Sequence, residues 1–285
     1  MRKCREDSDM RRASGIRPPV VAGQFYPSER SELKQQISHF YQEAGTQKKS
    51  RARGVLAPHA GYIFSGATTA KAFAAVDIPE NVILLGPNHQ GVGARAAVYD
   101  SGAWETPLGQ VRVNTDLGLQ LCRDVTGFTS DCAAHRFEHS LEVMLPFLQF
   151  QRPDVNIVPV MLREHPYAAL EQMGSELAQV LGTLGDEVLI VTSSDMSHYL
   201  PADVAEQQDM PVLQLLTQGK AQEMYTHVLE HQISMCGIFP ATLMLTTLNA
   251  LTDEPCRGEL LEYTHSGVVS GDYAAVVGYA AAVFP

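Results

Sequence analysis

"NVILLGPNH", residues 81–89, holds four consecutive aliphatic residues, Val82 to Leu85, closed by Gly86 and Pro87 just before Asn88 and His89. A short apolar run without polar alternation reads as a strand buried on both faces, and glycine followed by proline ends it. The histidine therefore stands just past a strand end. The same punctuation occurs upstream in GVLAPHAGYIFSG, residues 54–66, where the run 55–57 leads to His59 between Pro58 and Gly61. Gly61 and Gly66 allow a turn tight enough to aim that ring inward, and 67–76 then reads as a helix of small residues.

Downstream the pattern repeats. Residues 157–161 read as a strand, 167–181 as a helix entered through Pro166, and 188–192 as a strand running into Ser193, Ser194, Asp195 and His198. Apolar runs alternating with helical periods mark a layered α/β domain. Around this centre, Ser28 is the expected cap of a helix that uses Leu33, Ile37, Phe40, Tyr41 and Ala44 on one face and stops at Gly45. GAWETPLGQVRVN, residues 102–114, has the glycine and proline spacing of an edge hairpin. Residues 202–251 are mostly helical in period, and 259–263 and 274–280 read as closing strands. RPPVVAGQFYPSER, from Arg17, is an irregular lead-in that wraps the domain, and TQKKSRAR, from Thr46, a solvated link.

The 285 residues suffice for one large α/β domain, expected over 17–285, with 1–16 as a charged, tag-like tail lacking the apolar stretch of a secretory signal. With 21 basic and 32 acidic residues the formal charge is −11, which repels phosphate backbones and anionic lipid, so no nucleic acid and no membrane is the expectation. YAAVVGYAAAVF, ending at Phe284, is too short to span a bilayer and fits a buried strand. Five cysteines without a CxxC pair argue against a disulfide scaffold and a structural zinc site, and place the protein in a reducing, cytoplasmic setting.

His59, His89 and His198 each follow an expected buried strand. In open α/β sheets those strand ends form the rim where ligands bind. One such histidine is ordinarily a hydrogen-bonded loop residue; three repeating the pattern point to a shared site. Neutral imidazole binds first-row metals, and a two-histidine site needs a third donor. Asp195 is one candidate. Cys236, in ISMCGIFPATLML just before an expected helix, is another, because a helix N-terminus lowers a thiol's pKa. The plainer alternative is a buried thiol.

RPPVVAGQFYP, APHAGYIFSG, LGPNH, WETPLG, EHSLEVMLP, SSDMSH and MCGIFP, in this order, resemble the Memo family, whose prokaryotic members are also called AmmeMemoRadiSam system protein B. The resemblance runs from about residue 17 to the end. It implies a single α/β/α domain around a mixed sheet, similar to the class III extradiol (LigB-like) dioxygenases. It also implies a metal on His59, His89 and Cys236, the cysteine standing where those dioxygenases have a glutamate. Iron(II) comes first, with copper and zinc as alternatives. His198 matches the dioxygenase acid–base histidine, and Asp195 precedes it in the same motif. The chain departs from some relatives in lacking a basic and histidine pair after Cys236–Gly237 and a second histidine after His89.

Glu138, His139 and Glu142 of EHSLEVMLP fall within one helical turn if that segment is helical, and either orient a ligand histidine or form a polar helix start. Tyr62, Asn88 and Ser194 are further pocket candidates; Tyr62, Trp104 and Tyr199 are aromatic residues that either wall the cleft or pack. Thiolate in place of carboxylate softens the centre, so ring cleavage of catechols does not follow from the fold. The expected function is a metal-dependent, dioxygenase-like redox protein acting on a small molecule or peptide. A peptide- or protein-binding module and a metal-dependent hydrolase are the alternatives. The resemblance further implies a functional link to AMMECR-type and radical-SAM proteins.

Overall fold

The short apolar runs lie side by side. In a computed structural model describing residues 15–45, 49, 51–184, 188–252 and 255–285, the chain forms β1 (Ile16–Arg17), α1 (Arg30–Ala44), β2 (Gly54–Ala57), α2 (Tyr62–Ala74), β3 (Asn81–Pro87) and β4 (Ala96–Val98). There follow β5 (Ala103–Thr106), β6 (Gly109–Val113), α3 (Thr115–Asp124), β7 (Phe128–Ser130), α4 (Leu145–Gln151), β8 (Asn156–Leu162) and α5 (Tyr167–Leu184). The last third holds β9 (Val188–Ser193), β10 (His198–Leu200), α6 (Ala202–Thr217), α7 (Ala221–Glu230), α8 (Ile238–Ala250), β11 (Glu259–His265), α9 (Gly267–Ser270) and β12 (Val276–Phe284).

The strands join in the order β1-β5-β6-β8-β3-β9-β2-β12-β10, with β11 on β12 and the β4–β7 pair on β8. β3, β8, β9 and β2 run parallel, with Ile83 opposite Ile190 and Leu56 opposite Thr192. β12 runs antiparallel to β2, and β5–β6 is the expected hairpin, set one strand in from the edge because the two-residue β1 pairs outside β5, so the sheet is mixed. Its two faces take alternate residues of each strand. Val82 and Leu84 pack with Leu33, Ile37 and Phe73 of α1 and α2, whereas Ile83 and Leu85 pack with Leu177, Leu243 and Leu245 of α5 and α8. Both faces are covered by helices, which is why β3 carries no polar alternation.

Local boundaries differ from the sequence expectation in instructive places. α2 begins at Tyr62 rather than 67, capped at Gly61, because Pro58 ends β2 and the aromatic first turn is itself buried at Tyr62. α1 is capped at Glu29, one residue past Ser28, and stops at Gly45 with φ 72°. The segment at Glu138 and His139 is irregular; a 3₁₀ turn at Glu142–Met144 leads into α4, whose start is set by Pro146. Glu138 and His139 are thus not on a helix. The tail expected over 1–16 lies outside the described residues up to 14, while Ile16 already pairs with Ala103 in β1. The link at 46–53 is described only in part. No helix among the described residues is long and apolar enough to cross a membrane.

Candidate metal centre

β3, β9 and β2 are consecutive parallel neighbours, so their C-terminal ends open on one edge of the sheet. His59 follows the end of β2, His89 the end of β3 and Asp195 the end of β9. Strand spacing of about 4.8 Å therefore gathers residues far apart in the chain. His139 arrives from the segment before α4, and Cys236 from the turn before α8. Among the described residues, donor atoms of His59, His89 and His139 all lie within 4.8 Å of one another. Cys236 Sγ lies 3.3 Å from His59 Nε2. Two donors sharing one zinc-like ion at ordinary bond lengths are separated by roughly 3.1–3.6 Å.

Neighbouring groups fix the tautomers. The single proton of the Ser193 hydroxyl goes to the Ser140 carbonyl at 2.8 Å, so Ser193 Oγ accepts from His59 Nδ1 at 2.7 Å and leaves Nε2 with its lone pair. Glu138, wholly buried, accepts from His89 Nδ1 at 2.9 Å and from the His89 backbone N–H at 2.7 Å, leaving His89 Nε2 free. The N–H groups of His139 and Ser140 also donate to Glu138, each at 3.0 Å. A carboxylate behind an imidazole is a common way to orient a metal-binding ring.

Charge follows from burial and these partners. Burial, then the charges of His89 and His139, hold His59 well below the usual histidine range, so its ring is neutral. Burial alone would lower His89, but the hydrogen bond and charge of Glu138 raise it. Burial works against Glu138 too, yet the bond and charge of His89 and the Ser140 N–H bring its carboxyl down to about 2. Asp195 accepts the His59 backbone N–H at 2.7 Å, and burial lifts its carboxyl to about 6.

Cys236 departs from the sequence expectation. It does precede α8, at the Gly237 cap, but burial and then the Asp195 charge raise its thiol far above the ordinary cysteine value. Desolvation outweighs the helix end and the Asp195 N–H that donates to Sγ at 3.2 Å. His198 lies at the rim; its Nδ1 donates to the Ser234 carbonyl at 3.0 Å, which leaves Nε2 free. Next to it, Tyr199 is exposed and held at φ 59°, an uncommon conformation for a bulky residue.

The pocket candidates divide. Glu138 and His139 join the centre. Ser194 ties the cysteine turn to β9 by accepting the Gly237 N–H at 3.0 Å. Asn88 shapes its own loop, accepting from the Gly91 N–H and donating to the Val92 carbonyl. Tyr62 lies buried in an aromatic cluster with Tyr26 and Phe147, its hydroxyl donating to the Val143 carbonyl, so it supports the centre from below and does not wall the cleft. Glu142 is consumed by the lead-in segment: it accepts from Arg17, the Val20 and Val21 N–H groups and Tyr26. Trp104 packs, under the Arg17 guanidinium at 4.1 Å. Missed from sequence were Ser193, although it sits in the SSDMSH stretch, and Arg17, whose guanidinium also donates to the carbonyls of His135 and Glu138.

Comparison with known proteins agrees with the motifs. A likeness in fold alone joins the chain to the crystal structure of the uncharacterized protein JW3007 from Escherichia coli K12, with a TM-score of 0.51 and 16% identity over 80% of this chain and 98% of that one. A MEMO1 family protein of Aquifex aeolicus is 37% identical over 94% of this chain and 99% of its own length, and one of Methanopyrus kandleri is 39% identical over 94% and 98%. The profile described as Memo-like protein matches residues 17–283, and the chain therefore belongs to the Memo-like family.

Proposed function

We propose that this protein is a metal-dependent redox protein acting on a small molecule, with His59, His89 and Cys236 holding the ion. The observation that carries the reading is the 3.3 Å approach of Cys236 Sγ to the unprotonated Nε2 of His59, with His89 beside it and both rings fixed through Nδ1. The donor chemistry fits: a neutral imidazole, a second imidazole oriented by a carboxylate, and a thiol that accepts a backbone N–H. Iron(II) or copper bound there would supply one-electron chemistry, with zinc the non-redox alternative.

The chain's own groups provide the remaining work. Asp195 stands beside the ion's position, its Oδ2 3.9 Å from His59 Nε2, placed to take up or release a proton there. His198 presents its Nε2 at the rim, its Nδ1 held by the Ser234 carbonyl. Similarity to extradiol dioxygenases supports oxygen-linked chemistry, but sulfur in place of a carboxylate removes the ground for assigning ring cleavage.

The test is elemental analysis of anaerobically purified protein, after loading in turn with iron(II), copper(I) and zinc. Stoichiometric metal in the wild type, with every ion lost in His59→Ala and copper(I) lost in Cys236→Ser, is the expected result. A wild type that retains none of the three ions overturns the reading.

A further inference from the structure

Cys236 is not the one available third donor. His139 also meets the same pair of histidines: its ring stacks on His89, centroids 5.2 Å apart at 17°, and stands edge-on to His59 at 5.6 Å and 84°. Glu138 Oε1 accepts from His89 Nδ1 at 2.9 Å and from the His139 backbone N–H at 3.0 Å, and lies 3.4 Å from His139 Nδ1, so one buried carboxylate holds the His89 ring and the His139 segment side by side. Phe25 closes against the far side of His139, edge to face at 4.9 Å, and limits the ring's rotation. The three imidazole donors lie within 4.8 Å of one another, a span that modest side-chain movement around an ion closes. Cys236, by contrast, touches His59 and the Asp195 backbone.

We infer that His139 and Cys236 are alternative third donors, so that the centre holds borderline ions such as zinc or cobalt(II) on three imidazoles and soft copper(I) on His59, His89 and the sulfur. This rests on the reading above that His59 and His89 carry an ion. The chemistry follows from donor type: copper(I) favours sulfur, whereas zinc takes imidazole as readily as thiolate, so three rings with donors within 4.8 Å of one another suffice for it. Two third donors of different softness, on two separate loops, let a single pair of histidines serve both classes.

The experiment compares full-length wild type, His139→Gln and Cys236→Ser for zinc and copper(I) affinity, by anaerobic competition with chromophoric chelators. His139→Gln should weaken zinc by more than about tenfold and leave copper(I) within about threefold; Cys236→Ser should do the reverse. Zinc affinity unchanged in His139→Gln, or both variants losing both ions alike, overturns the inference while leaving the metal centre standing. A wild type that binds neither ion removes the centre itself. Should His139→Gln fail to fold, the cobalt(II) spectrum of the wild type decides: absence of a thiolate-to-cobalt charge-transfer band supports three-nitrogen binding, and an intense band refutes it.

Discussion

Replacing Glu138 by glutamine tests the most connected group of the centre. Its carboxylate is wholly buried and accepts from His89 Nδ1 and from three backbone N–H groups, those of His89, His139 and Ser140. Glutamine keeps one oxygen, which can serve the three donors now on Oε1. Its amide nitrogen must then face the His89 N–H that Oε2 accepts at 2.7 Å, donor against donor. One buried unpaired donor, together with the loss of charge from the remaining bonds, amounts to about 2–4 kcal/mol. His89 should respond too. With the Glu138 charge gone, burial is opposed only by the Asp195 charge and a neutral acceptor, and its pKa should fall from its raised value. The acid limb of stability should change in a defined window. Glu138 is depressed from 4.5 to about 2, so its contribution is complete above 4.5 and disappears as pH falls through about 2; the variant should lack that slope. Urea unfolding at several pH values and NMR titration of His89 measure both effects. Stability within about 0.5 kcal/mol of wild type and an unmoved His89 titration would refute the argument.

Three further outcomes follow from the same contacts. Arg17→Ala leaves Glu142 buried without its cation and should destabilise by about 3–5 kcal/mol in denaturant unfolding; under about 1 kcal/mol would mean that the lead-in segment is held by its other bonds. Ser193→Ala releases His59 Nδ1, so nitrogen NMR should detect a second His59 tautomer and metal affinity should drop about 10–100-fold; a single unchanged tautomer would count against the serine lock. Because the Cys236 thiol holds its proton far above neutrality, copper(I) loading at pH 7 should release a proton and tighten as pH rises, which calorimetry in buffers of different ionisation enthalpy measures; buffer-independent heats would contradict sulfur ligation.

What the chain discloses before folding depends on how local the cause is. β3 is legible in "NVILLGPNH" because burial on both faces leaves an uninterrupted aliphatic run, and the residues past its end are placed by that fact alone. His59, His89 and Asp195 follow, since three parallel strands must end on one edge. The segment from Glu138 is not legible in the same way. Its polar residues ahead of an apolar run look like a helix start, yet the helix waits for Pro146, and the earlier residues are drawn out by contacts with His89 and Arg17. Ser193 becomes meaningful only beside Ser140, 53 positions away, and Glu142 only beside Arg17, 125 positions away. Cys236 combines both cases: the helix start after it can be read from Gly237 and Pro240, whereas the desolvation that reverses its expected acidity cannot.

That reversal changes how the centre must work. Burial places His59 and Cys236 in their neutral forms and lifts Asp195 to about 6, so three groups around one point each resist the charge they would carry in water. Packing them more loosely would relieve the cost, but it would also open the backbone bonds that Asp195 and Glu138 accept. A soft cation such as copper(I) would offset the same penalties with little movement: it would use the neutral His59 lone pair, displace the thiol proton and face Asp195 with opposite charge. The arrangement is therefore least favourable when no ion is bound and should gain stability on loading. Ser193 and Glu138 hold the two imidazoles in the required tautomers without an ion, so that gain is spent on binding and not on reorganising the rings.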